Sequence, residues 1–349
     1  MQERMAQRGS GPAATRTTGP SLRQTLSWAL ALLLSLSMFV ATLAQMAADG
    51  PSGTLQNANT RTANARTAAS AANFTPFGMP PKVTARAAFV FDADMGLTYY
   101  TKNSDIELPM ASTTKVMTAL LAVEHGSLDQ MIKVGADAAA LVRPDSSYMG
   151  LKAGEQLTLR DLLYGLVLPS GNDAAVAIAD GISGSVSAFV ALMNERAQEL
   201  GLTQTHFVNP HGLGASGHFT TAHDLAVLAA VAMTYPDLVQ ITSTISYSIP
   251  KTTTHKAYKL HTGIDILPGG YSPYPGAIGV KPGFTGDAGY CEAFAAVRRG
   301  HLIVGVVLDE PTWQIRLADM RKLLDWGFAQ EGIPAAPRPV TGSFPSADA

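Results

Sequence analysis

The sequence predicts an α/β (α+β) fold, in which one antiparallel sheet drawn from both termini of the domain carries an inserted all-helical lobe. Three observations predict it. Strand-like runs lie at both ends of the globular part, at 87–93 with 97–100 and at 294–297 with 302–308. Helical periodicity fills the interval between them, from 112 to 233. One more helical pattern, at 316–328, closes the domain.

Each element has a local reason. Residues 87–93 read AAFVFDA, a run rich in β-formers, and Met95-Gly96 supplies a turn into a second strand over 97–100. Residues 112–125 place Val116, Leu120 and Val123 on one face, with Gly126 as a stop. Helices follow over 159–168, 173–181 and 187–200; in the last, Phe189, Met193 and Leu200 share a face and Gly201 ends it. Thr221, with Asp224 three residues on, opens a helix over 221–233. Arg299-Gly300 turns the strand over 294–297 into that over 302–308.

The rest of the chain reads as flanks. Residues 26–44, LSWALALLLSLSMFVATLA, are apolar and uncharged. Arg4, Arg8, Arg16 and Arg23 precede them, and the next basic residue is Arg61. That asymmetry puts residues 1–25 in the cytoplasm and everything after the run outside it. The run approaches the roughly 20 residues of a membrane-spanning helix, and Thr42-Leu43-Ala44 offers small residues for signal cleavage. It is an anchor, or a signal cleaved near Ala44. Residues 45–81 read as a flexible linker and 331–349 as a disordered tail, which leaves one folded domain over 82–330.

Composition narrows the function. The formal net charge is −2, with no basic stripe for nucleic acid. One cysteine, Cys291, excludes an intrachain disulfide, and its alternating surroundings make it a small buried core residue. The histidine pairs 206/211 and 218/223 are five apart, which suits neither helical ligand spacing, so no metal site is expected.

Three short elements carry chemistry. Ser112-Thr113-Thr114-Lys115 puts a hydroxyl and an amine one helical turn apart. A serine needs a base nearby to become a nucleophile, and a lysine can be that base once burial lowers its pKa. Ser170-Gly171-Asn172 lies between two helical patterns; on its own it reads as a plain turn. Lys281-Pro282-Gly283-Phe284-Thr285 is strand-like, with a glycine that lets a ligand approach the backbone.

Taken together and in order, the three resemble the Ser-x-x-Lys, Ser-x-Asn and Lys-Thr-Gly boxes of serine penicillin-binding proteins. With their surroundings, from Pro109-Met110-Ala111 to Leu323-Leu324-Asp325-Trp326-Gly327-Phe328, they resemble the low-molecular-mass D-alanyl-D-alanine carboxypeptidases. The resemblance implies the penicillin-binding/β-lactamase-like transpeptidase fold. It implies removal of the terminal D-alanine of peptidoglycan stem peptides, with β-lactams as covalent inhibitors and no cofactor. It makes Ser112 the acylated nucleophile and Lys115 its base, with Ser170 and Asn172 on the second side of the cleft. Lys281, Gly283, Phe284 and Thr285 bind substrate, and the N–H groups of Ser112 and Phe284 form the oxyanion hole.

Two departures stand out. Pro282 replaces the hydroxyl residue of the third box. No arginine lies in 308–313, where the family's carboxylate-binding arginine is expected, and Asp309 and Glu310 are there instead; Arg298, Arg299, Arg316 or Thr285 are the candidates to compensate. A β-lactamase and a non-catalytic peptidoglycan-binding module are the competing functions, besides DD-endopeptidase action on crosslinked peptides by the same acyl-serine chemistry. The first wants a deacylating glutamate string that is absent, and the second has no use for a nucleophile with its base.

Overall fold

The computed structural model describes residues 75–337. Residues 1–25 and the apolar run 26–44 lie outside the described residues, as does most of the linker and the end of the tail.

The main sheet has five antiparallel strands in the order β2-β1-β9-β8-β7. They are β1 (Ala87–Asp92), β2 (Leu97–Lys102), β7 (Ala277–Thr285), β8 (Gly289–Arg298) and β9 (His301–Glu310). The first two strands thus join the last three through β1 and β9, as expected for a sheet made by both ends of the domain. Two short hairpin sheets lie outside it: β3 (Met131–Lys133) with β4 (Gln156–Thr158), and β5 (Ser246–Ile249) with β6 (Tyr258–His261). Sequence periodicity missed both, because three or four residues are too few to show alternation.

The helical lobe lies between β2 and β7 in sequence. It holds α1 (Lys115–His125), α2 (Ala136–Ala139), α3 (Leu159–Val167), α4 (Asn172–Ser183), α5 (Val186–Glu199), α6 (Ala222–Ala232) and α7 (Pro236–Thr242). Hydroxyls cap three of these helices: those of Thr158, Ser185 and, as the sequence predicts, Thr221 accept the N–H of Asp161, Ala188 and Asp224. In α1 every residue from Lys115 to Ala122 is buried, so this helix is enclosed on all sides. That enclosure takes Lys115 out of water.

The closing helix α8 (Trp313–Gln330) buries Leu317, Met320, Leu324 and Phe328 at helical spacing against the sheet. Removing one such side chain to alanine costs about 2–5 kcal/mol. The domain ends later than residue 330. Ile333 and Ala336 are buried, Ala336 N–H donates to Asp325, and Arg298 donates to the Pro334 carbonyl at 2.8 Å. The Pro-, Ala- and Ser-rich, aperiodic composition of 331–349 hid these few anchoring contacts. Upstream, Phe77 N–H donates to Gln330 Oε1 at 2.7 Å, so packing also begins before residue 82.

Candidate active site

The site forms where α1 meets the edge strand β7. A single turn of 3₁₀ helix, Ala111–Thr114, leads into α1 and carries Ser112. Ala111 has φ 47°, a left-handed conformation that L-residues adopt at a cost of order 1–3 kcal/mol. The surroundings fix it there. Gly212 approaches so closely that a Cβ on it would lie 1.9 Å from the Ala111 carbonyl oxygen. The loop 209–213 is therefore the support beneath the nucleophile's turn.

Lys115 holds the centre. Its Nζ lies 2.9 Å from Ser112 Oγ, 2.7 Å from Asn172 Oδ1 and 2.6 Å from the His211 carbonyl. Asn172 is aimed in turn, because its Nδ2 donates to Ser146 Oγ at 2.8 Å. Burial holds the Lys115 amine well below the usual lysine range, and the Lys281 charge lowers it further. A neutral amine at this distance can take the Ser112 proton.

Strand β7 forms the facing wall. A Cβ at Gly283 would sit 2.8 Å from the Ser112 nitrogen, so only glycine lets this strand lie against the nucleophile. Pro282 sits opposite Glu292 in the β7–β8 ladder. Lacking an N–H, proline suits an edge strand where its nitrogen faces away from the neighbour. Phe284 shares its parity, so its N–H faces the cleft beside Ser112. The Phe284 ring is exposed and packs on Tyr290, with ring centres 4.3 Å apart.

The cleft encloses about 420 Å³, and Ser112, Ser170, Lys281, Pro282, Gly283, Phe284 and Arg316 all line it. Ser170, at φ 61°, has a buried hydroxyl with no hydrogen bond among the described residues. Lys281 is buried, and loss of water pushes its amine down to about 7, against the pull of Glu292. Thr285 is not in the lining; its hydroxyl accepts the Ala288 N–H at 3.3 Å and shapes the turn after β7.

Among the candidates for the missing cation, the structure separates the arginines. Arg298 lies over Phe328 and holds the Pro334 carbonyl. Arg299 occupies the β8–β9 turn. Arg316, in the first turn of α8, reaches the cleft. Of these candidates Arg316 is the arginine in the cleft wall, about one turn later than the segment 308–313 where the family resemblance leads one to expect it. Asp309 and Glu310 do not line the cleft; Asp309 pairs with Arg86 at 3.5 Å and Glu310 is buried at the end of β9. Cys291 is buried, as its surroundings imply.

A nucleophile, an enclosed amine, a glycine wall and two cations are thus joined in one cleft. The D-alanyl-D-alanine carboxypeptidase model matches residues 75–312. The chain belongs to the D-alanyl-D-alanine carboxypeptidase family. It is 37% identical over 249 residues to the D-alanyl-D-alanine carboxypeptidase DacF of Bacillus subtilis, covering 70% of this chain and 62% of that one. It is 38% identical over 258 residues to DacB2 of Mycobacterium tuberculosis, covering 71% and 84%. The crystal structure of the Streptomyces K15 DD-transpeptidase superposes with a TM-score of 0.68 at 32% identity, over 72% of this chain and all of that one. These carboxypeptidase and transpeptidase relatives share the penicillin-binding fold expected from the sequence.

Proposed function

We propose that this protein is a serine D-alanyl-D-alanine carboxypeptidase that removes the terminal D-alanine of peptidoglycan stem peptides. One observation carries the reading: Lys115 Nζ, stripped of water, lies 2.9 Å from Ser112 Oγ at the mouth of a cleft with cationic walls. Ser112 Oγ attacks the carbonyl of the penultimate residue while Lys115 takes its proton. The N–H groups of Ser112 and Phe284 hold the oxyanion. The terminal D-alanine leaves with its amine protonated, and water then hydrolyses the ester on Ser112. Asn172 keeps the Lys115 amine aimed, and Ser170 offers a free hydroxyl for the peptide or a proton. Arg316 and Lys281 receive the terminal carboxylate. A β-lactam, which presents a strained amide and a carboxylate to the same groups, acylates Ser112 and stays.

The test is to incubate the purified protein with a fluorescent penicillin and a diacetylated Lys-D-Ala-D-Ala peptide. Label on Ser112, located by mass spectrometry, and release of one D-alanine are expected. Label on another serine, or no released alanine, refutes the reading.

We further propose that the domain works outside the cytoplasmic membrane, held there by 26–44 or freed by cleavage near Ala44. The support is the basic flank before that run and the lack of one just after it. A reporter fused after the domain should be active only in an extracytoplasmic setting; activity in the cytoplasm refutes the topology.

A further inference from the structure

Glu292 is a buried acid with no task in the mechanism above. It lies in β8, fully enclosed, and shares a sheet face with Pro282, its partner across the ladder. Its Oε2 is 2.9 Å from Arg316 Nε, yet the two are misaligned. Neither carboxylate oxygen has a hydrogen bond among the described residues, and neither does Arg316 Nε. The charged groups around it are Lys281 on β7, Arg316 on α8 and Asp265 in the loop before β7; Asp265 takes another Arg316 nitrogen at 3.0 Å.

The charge balance is the consequence. Arg316 already faces two acids before a substrate arrives. A terminal carboxylate laid beside it would be the third negative group around one guanidinium, and like charges in an enclosed site disfavour each other. In a buried place an acid relieves this by protonation. Glu292, which has no N–H or O–H holding its charge, is the acid free to do so. Burial first, then Asp265, raises its pKa to about 7, against the Arg316 and Lys281 charges.

We propose that Glu292 is a positioning residue that releases Arg316 to the substrate's terminal carboxylate by taking a proton from solvent. The exchange balances: ionised Glu292, a proton and the substrate carboxylate become neutral Glu292 and an Arg316–carboxylate pair. Glu292 thereby sets how strongly the enzyme prefers peptide acids, and makes that preference fade as pH rises. The inference rests on the reading that Arg316 receives the carboxylate.

The experiment compares kcat/KM for a peptide acid and the same peptide as its C-terminal amide from pH 5.5 to 9. The ratio divides out Ser112 and Lys115, which serve both substrates. In the wild type it should fall above neutrality by up to about tenfold per pH unit. In Glu292→Gln the fall should become shallower, with a higher ratio at pH 8; the remaining fall belongs to Lys281, whose amine, down at about 7, also loses its charge in this range and faces the acid alone. The same pH dependence in both proteins overturns the proposal. Arg316→Gln tests the underlying reading separately: an unchanged acid-to-amide ratio in that variant means that Arg316 is not the receptor. Should Glu292→Gln fail to fold, calorimetry on Ser112→Ala carrying Lys281→Met, which removes the other group near 7 that faces the acid, with the acid and amide peptides in buffers of different ionisation heat, decides. Proton uptake specific to the acid supports the exchange, and none overturns it.

Discussion

Lys115 Nζ stands 2.9 Å from Ser112 Oγ and 2.7 Å from Asn172 Oδ1, enclosed in a helix whose first eight residues are buried. The same enclosure that packs α1 into the lobe makes its one lysine a base. A solvated lysine at the same spacing would be protonated at neutral pH and useless for the purpose. Packing and chemistry are here one property of one helix.

Removing either member should therefore separate stability from activity. Ser112→Ala should abolish covalent penicillin labelling and change the melting temperature little, because Ser112 is only half-buried. Lys115→Met, of similar length and apolar, should keep the fold and lower acylation by at least about 100-fold, the scale of a lost general base. The Lys115 pKa is lowered, so the fraction of neutral base, and with it kcat/KM, should rise with pH through that lowered value and then level off. An acylation rate in Lys115→Met near that of the wild type would assign the base elsewhere.

Gly283→Ala tests the wall. The new Cβ would begin 2.8 Å from the Ser112 nitrogen, 3.1 Å from Ala111 Cβ and 3.1 Å from the Thr113 nitrogen. Strand and turn must part by several tenths of an ångström, which spoils the convergence of the Ser112 and Phe284 N–H groups. Loss of one oxyanion donor costs roughly 10²–10³ in rate. Acylation should fall on that scale while penicillin still protects the protein weakly against heat. Unimpaired acylation would mean that β7 does not supply the oxyanion hole.

Much of this site was legible in the chain because its key groups are local. Ser112 and Lys115 are three residues apart, so helix geometry alone joins them. Capping at Thr221, and the burial of Phe189 and Met193, follow from patterns of the same short range. The groups that were hidden act across the fold. The His211 carbonyl reaches Lys115 over 96 positions, and no side-chain pattern marks a carbonyl. Arg316 was one of four candidates to receive the carboxylate, and only the packing of α8 on the sheet separates it from Arg298 and Arg299. Glu292 lies in a strand of apolar neighbours, and its meaning appears only once Pro282 and Arg316 stand beside it. Thr285 reads as a substrate ligand by its place in the box, and no sequence pattern shows that its hydroxyl accepts the Ala288 N–H in the turn after β7.

Glu310 gives a stability prediction away from the cleft. It is buried at the end of β9, and burial first, then the Asp319 charge, raises its pKa from 4.5 to about 8. The folded state therefore holds a proton there that the unfolded chain has released. The sign follows: the contribution is full below about pH 4.5 and is lost as pH rises through about 8. Glu310→Gln imitates the neutral acid. Its melting temperature should match the wild type near pH 4 and exceed it at pH 9. A difference that does not grow with pH would show that Glu310 is ionised in the folded protein throughout.

Pro282→Thr restores the hydroxyl of the third box, and Glu292 decides what that hydroxyl can do. Residues 282 and 292 are ladder partners on one face, so the new hydroxyl has two acceptors in reach: the substrate carboxylate and Glu292. A hydrogen bond to a charged group is worth about 1.5–3 kcal/mol, or roughly 10- to 150-fold in an affinity-type constant. With Glu292 ionised, much of that gain goes to Glu292. With Glu292 neutral, the hydroxyl is left for the substrate. The gain in kcat/KM for a peptide acid should therefore be larger at pH 6 than at pH 8, and absent for the amide. In the Glu292→Gln background the gain should be large at both pH values, so the two substitutions are not additive. The four proteins of this double-mutant cycle, each assayed with acid and amide at two pH values, separate the cases. Equal gains for acid and amide would mean that position 282 does not meet the carboxylate. A gain in the acid that is the same with and without Glu292 would mean that the two residues act independently, despite facing each other across the ladder.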